Sequence, residues 1–249
     1  MTSNRFFIEQ PNLHSSPYVF LYGDEHHHLS RVARIKPKEK VWLFDEQGTC
    51  YLARVEEIER EKTCLFILKK MEEEEQKVKI TLGQGLIRSK KMGLIIQKAT
   101  ELGITTFIPV ITSRSIIKIQ EKNEKRIERW QKIAREAAKQ SKRAFVPSIL
   151  SPMPLSKLLD ERKEERKLLL SENRGRYLKD ILLSFSGNHK ARIPSSVIIL
   201  VGPEGGWSEQ EETDILNHDY EAISLGRQVL RAETAALSSI ALISHFWNL

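Results

Sequence analysis

The chain has 249 residues, enough for one large domain or two small ones with a buried core. A hydrophobic share of 40% and a charged share of 29% describe an ordinary soluble protein. No apolar run approaches a membrane span, and residues 1–10 lack the apolar stretch of a signal peptide, so a cytoplasmic location is expected. Cys50 and Cys64 show no Cys-x-x-Cys spacing and read as reduced structural thiols. The formal net charge of +7 is uneven: residues 1–75 hold 11 Lys+Arg against 14 Asp+Glu, while residues 112–143 hold 11 against 4. Such a basic patch suits either a polyanion or a solvated helix face.

In chain order, residues 5–8 and 41–44 are apolar-aromatic strands, and residues 49–55 alternate after a turn at Gln47-Gly48. Residues 64–68 close the series before the acidic run at 72–76, which reads as a linker. Residues 1–72 are therefore expected to form a small β-barrel and 76–249 a second domain. His26-His27-His28 raises a metal reading, but adjacent side chains diverge and no matching ligand set is visible, so no metal is expected. Arg31, Arg34, Lys36, Lys38 and Lys40, with Phe6, Phe7 and Trp42 nearby, form either an RNA-facing edge or a solvated one.

From Val78 the pattern alternates. Strands are expected at 78–86, 104–111, 167–171 and 196–201, with a short one at 223–225. Helices are expected at 90–102, ending at Gly103, and at 123–143, with basic outer faces. A further helix to Asn217 begins at the Ser208/Glu211 capping box, and a last one at 232–247 is apolar nearly all round. Alternation of this kind implies an α/β domain with a largely parallel sheet.

Two glycine-containing loops in this half each follow a buried-type strand and precede a helix, which makes a crevice at strand carboxyl ends. In Gly202-Pro203-Glu204-Gly205-Gly206, Gly205 and Gly206 can take positive φ and let a ligand lie against bare amides, or the loop is simply a tight turn. It is neither Gly-x-Gly-x-x-Gly nor a phosphate loop, which disfavours a dinucleotide or a nucleoside triphosphate. Arg231, between a strand end and an apolar helix, either pairs with a carboxylate or awaits an anionic substrate. Glu233 complements the helix dipole or takes part in the site. No histidine has a partner spaced as in a nucleophilic triad, so hydrolysis is not expected.

These loops do not stand alone. Arg5-Phe6-Phe7; His27-His28-Leu29 through Val32 and Arg34; Lys91-Met92; Gln97-Lys98-Ala99-Thr100-Glu101-Leu102-Gly103; Arg114-Ser115; Trp130; and Glu136-Ala137-Ala138 with Gln140-Ser141 and Arg143 accompany them. So do Leu225-Gly226 and Leu230-Arg231-Ala232-Glu233-Thr234-Ala235. Together they resemble the RsmE-type small-subunit rRNA (uracil-N3) methyltransferases of the knotted SPOUT superfamily, across nearly the whole chain. Ala33 and Lys38 depart from the usual pattern.

The resemblance implies a PUA-like β-barrel, a SPOUT α/β domain with a deep trefoil knot at about 168–241, a homodimer, and S-adenosylmethionine as methyl donor. It places the cofactor against Leu170, Ser171 and Glu172; against Gly202, Pro203, Glu204, Gly205 and Gly206; and against Leu225, Gly226, Gln228, Val229 and Leu230, with Thr234 and Ala235 beyond. Arg231 would steady a uracil anion, with Glu233, Glu204 or water taking the proton. Arg5, Arg31, Arg34, Lys91, Arg114, Arg129, Arg135 and Arg143 would hold 16S rRNA or the small ribosomal subunit. The alternatives are a related knotted enzyme acting on a ribose 2′-OH or on tRNA, and a non-catalytic ribosome-assembly factor. A dinucleotide-dependent oxidoreductase is weakened by the loop pattern.

Overall fold

The computed structural model describes residues 4–8, 16–45, 48–72, 76–115, 124–143, 145–171, 175–185 and 192–248. Its contacts divide the chain into two units: Met1–Glu75 with Arg135–Val146, and Gln76–Ala134 with Pro147–Leu249.

In the first unit β1 (Arg5–Phe7) and β2 (Tyr18–Tyr22) precede α1 (Gly23–His27), which runs on into a π-helical turn (His28–Val32). Then come β3 (Lys40–Phe44), β4 (Thr49–Ile58) and β5 (Lys62–Glu72). Among the described residues they form one mixed sheet in the order β1-β3-β4-β5-β2, with β1 parallel to β3 and the other pairs antiparallel. Phe6, Leu21, Leu29, Leu43, Val55 and Leu65 fill its core.

β2 and the helix after it were not expected from the sequence. Val19 and Leu21 point inward, but the outward residues Tyr18, Phe20 and Tyr22 are aromatic too, so no apolar-polar alternation marks the strand. The three histidines do diverge. His26 is buried, its Nδ1 2.8 Å from the Thr63 hydroxyl and its Nε2 3.3 Å from the Arg60 carbonyl, whereas the His28 ring lies against Phe6.

The segment Arg135–Val146, which the sequence places in the carboxyl-terminal domain, groups with this first unit for a physical reason. The Arg135 guanidinium sits 5.5 Å over the Phe7 ring, and the buried Lys139 ammonium lies 2.7 Å from a Glu25 oxygen. The other Glu25 oxygen accepts from the Phe7 amide. Neither partner is visible in the local spacing.

The second unit opens with β6 (Lys79–Gly85), α2 (Ser89–Leu102), β7 (Thr106–Ile111) and α3 (Glu124–Gln140), the last passing into the first unit at Arg135. There follow β8 (Ser148–Ile149), β9 (Met153–Pro154), α4 (Leu155–Glu161), β10 (Arg166–Leu170), β11 (Arg176–Tyr177) and α5 (Leu178–Leu183). The chain closes with β12 (Ser196–Val201), α6 (Glu209–Asn217), β13 (Glu221–Ser224) and α7 (Ala232–Trp247). The helices α4 and α5 are additions to the sequence reading; at two turns or fewer they show no helical period.

Every strand pair in this sheet is parallel, in the order β11-β13-β10-β12-β6-β7-β8, with β9 beside β7. Val197 to Val201 are all buried, as a central parallel strand requires. α2 ends on Gly103, whose φ of 107° suits a residue without a Cβ, and its buried face packs on α7. Among the described residues no helix is long and apolar enough to cross a membrane.

Two close approaches set the end of the sheet. A Cβ on Gly83 would lie 2.4 Å from a Leu200 methyl, and one on Gly85 would lie 2.6 Å from the Pro203 nitrogen. Between these glycines the buried Gln84 sends its Nε2 to the carbonyls of Gly85, Val201 and Gly202, at 3.1, 3.4 and 3.0 Å. The loop after β12 is thereby laid directly on the end of β6.

Candidate active site

Parallel strands put all their carboxyl ends on one side, and there β6, β10, β12 and β13 open onto a cavity of about 860 Å³. This falls within the roughly 300–1,000 Å³ typical of small-molecule sites. One wall is the loop Gly202, Pro203, Glu204, Gly205 and Gly206; the facing wall is Leu225, Gly226, Gln228, Val229 and Leu230. Leu170 and Ser171 close the end of β10, and Arg231, Ala232 and Ala235 come from the start of α7.

The first loop is built from its glycines. Gly206 has φ +68°, its amide donates to the Pro203 carbonyl at 2.9 Å, and a Cβ on Gly202 would lie 3.3 Å from the Gly206 backbone. Ser208 then caps α6, and Glu211 returns its side chain to the Ser208 amide at 2.9 Å. The same carboxylate accepts from the Ser113 amide at 2.7 Å and from the Ser113 hydroxyl at 2.9 Å, anchoring the loop after β7 to the helix start. Burial would push the Glu211 carboxyl up, but the hydrogen bonds from Ser208 and Ser113 prevail and hold it below the ordinary glutamate value.

Among the described residues, four cationic side chains reach the cavity: Arg88, Lys91, Arg114 and Arg231. Arg114 donates to the Gly205 carbonyl at 2.9 Å. Lys91 sits 2.8 Å from Glu204 and 3.4 Å from Glu233, and the hydrogen bond to Glu204 is the main cause that raises it above the usual lysine value. Arg231 is the N-cap residue of α7 and is exposed. On the opposite side the buried Glu212 carboxylate accepts from the Ser171 hydroxyl at 2.8 Å.

Most of the residues expected to face the cofactor therefore line one cavity. Thr234 is exposed and outside the lining, Glu233 stands behind it on Lys91, and Glu172 lies outside the described residues. Of the residues expected to hold RNA, Lys91 and Arg114 belong to the cavity wall. Arg31, Arg34 and Arg129 are exposed, and Arg34 has a φ of 53°. Arg5 donates to the Lys142 carbonyl, Arg135 covers Phe7, and Arg143 is half-buried.

The sequence alone did not assign Arg88, Val201, Trp207, Glu209, Glu212, Ser224 or Ala232 to the site, although all of them line the cavity. Glu212 carried a usable signal. It lies three residues before buried Ile215 on the inward face of α6, where a carboxylate is out of place unless it serves a site.

Comparison with known proteins agrees with this geometry. A family model described as an RNA methyltransferase domain matches residues 74–244, and one described as an RNA methyltransferase PUA domain matches residues 21–69. The ribosomal RNA small subunit methyltransferase E of Bacillus subtilis is 31% identical over 97% of this chain and 96% of its own. Its Aquifex aeolicus counterpart is 33% identical over 87% and 90%. A crystal structure of the Neisseria gonorrhoeae ribosomal RNA small subunit methyltransferase E, bound to S-adenosyl methionine, superimposes with a TM-score of 0.85 at 34% identity, covering 98% of both chains. With its parallel sheet, its glycine-walled cavity and a match running almost end to end, the chain belongs to the ribosomal RNA small subunit methyltransferase E family.

Proposed function

We propose that this protein uses S-adenosylmethionine to methylate N3 of a uridine in the 16S rRNA of the small ribosomal subunit. The observation that carries the reading is the single cavity bounded by both glycine loops, with a guanidinium on its rim. The residues fit the cofactor. Leu170, Val201, Leu225 and Leu230 offer apolar contact for an adenine, while Gly202, Gly205 and Gly206 allow a ligand to lie against bare backbone. When bound, the cofactor supplies an electrophilic methyl carbon, whose bond to sulfur breaks as the bond to N3 forms.

The chain contributes alignment and charge. Arg231 lies beside the cavity, where a fixed cation favours the uracil anion through its O2 and O4 oxygens. A guanidinium does not give up its proton at neutral pH, so the N3 proton goes to Glu233, Glu204 or a water. The exposed cations of α3, Arg129 among them, would meet RNA phosphates, and the target base would turn out of its stack to enter.

A trefoil knot over 168–241 belongs to the same reading; the order β13-β10-β12, in which β13 returns across β10, supports it. So do a homodimer, for which the largely apolar α7 offers surface, and a cytoplasmic location. The test is nucleoside mass spectrometry of small-subunit rRNA incubated with protein and S-adenosylmethionine. 3-Methyluridine is expected. A 2′-O-methylated nucleoside or a methylated tRNA would move the assignment to a related enzyme, and absence of cofactor binding would favour an assembly factor.

A further inference from the structure

Lys91 breaks a local rule. It lies in the first turn of α2, a turn without an acidic residue, and follows Lys90 and the N-cap residue Arg88. Cations at the positive end of a helix dipole work against the helix, so something outside α2 must compensate. The compensation comes from two other segments. The ammonium is 2.8 Å from a Glu204 oxygen, in the loop after β12, and 3.4 Å from a Glu233 oxygen, in the first turn of α7. Glu204 belongs to one cavity wall, and Glu233 follows directly on the other.

The second Glu233 oxygen is buried and has no hydrogen-bond partner, so Lys91 provides the ion pair holding this side chain among the described residues. Removing the ammonium would leave the two carboxylates that converge on it without the cation between them. Like charges so placed repel, and the walls carrying them would separate.

We infer that Lys91 is a positioning residue that clamps the two cofactor loops together from the cavity wall, rather than a contact for RNA phosphate. This rests on the cofactor assignment above and adds the device that keeps the two walls in register. The exposure of the pair is intermediate, between that of a free surface ion pair and a buried one, so the clamp strengthens cofactor binding without being required for folding.

The experiment compares wild type, Lys91→Ala and Lys91→Arg by calorimetry with S-adenosylmethionine, and by binding of a small-subunit rRNA fragment at several salt concentrations. Lys91→Ala should lose about five- to tenfold in cofactor affinity and raise KM for the cofactor. The slope of RNA affinity against salt should stay unchanged, and Lys91→Arg should recover most of the loss. Glu204→Gln weakens the clamp from its other end and must shift cofactor affinity the same way, which keeps the proposal open to refutation if Lys91→Ala fails to fold. Unchanged cofactor affinity with a salt slope lower by about one would identify a phosphate contact and overturn the clamp alone. Wild-type protein that binds no S-adenosylmethionine would overturn the clamp and the proposed function together.

Discussion

Arg231 and Gly85 show how single residues divide the labour of the cavity. Arg231 is exposed on the rim, and on the proposed function it steadies the uracil anion, so Arg231→Ala should lower turnover by roughly 10²-fold or more while calorimetric cofactor affinity stays close to wild type. Near-normal turnover would remove it from the mechanism. Gly85 lies outside the cavity lining, yet a methyl there would lie 2.6 Å from the Pro203 nitrogen and force the loop off the sheet. Gly85→Ala should cost about 1–3 kcal/mol in thermal unfolding, with a parallel fall in cofactor affinity. The glycine loops and Arg231 were legible in the sequence because each is a local pattern with a mechanism. The association of Lys91 with Glu204 and Glu233 was not, since it joins side chains separated by more than a hundred residues of chain. That Arg5 reaches a backbone carbonyl and Arg135 an aromatic ring was not legible either, because both partners are distant in the chain.

Elements were readable in proportion to their length and contrast. The capped start of α6, the extent of α7 and the buried β12 follow from period and punctuation, and the structure places them as expected. β2 escaped because aromatic residues occupy its solvent side, and α4 and α5 because they are short. The start of α6 also carries a pH dependence. The Glu211 carboxyl is held below its ordinary value when folded, so its stabilising contribution is full above the unfolded value of about 4.3 and is lost as pH falls through the folded one. Denaturant titrations from about pH 6 to pH 3 should show wild type losing more stability on acidification than Glu211→Gln. Parallel curves for the two proteins would show that the hydrogen bonds to Ser113 and Ser208 carry no such energy.

At the scale of the whole molecule, the uneven charge is the property most open to measurement. The basic stretch 112–143 includes α3, whose exposed Lys125 and Arg129 suit a phosphate backbone. RNA affinity should fall steeply with added salt, and Arg129→Ala should reduce the slope of log affinity against log salt concentration by about one, equally for any RNA sequence. A sequence-dependent loss would instead make Arg129 a reader of bases.

Gln84 has a consequence for how the molecule breathes. One amide nitrogen beneath three carbonyls ties the start of the glycine loop to the ends of the two central strands. Deuterium should enter the Gly206 amide, which donates to the Pro203 carbonyl, more slowly than an open loop amide, and replacing Gln84 with leucine should speed that exchange while β6 and β12 keep their own pace.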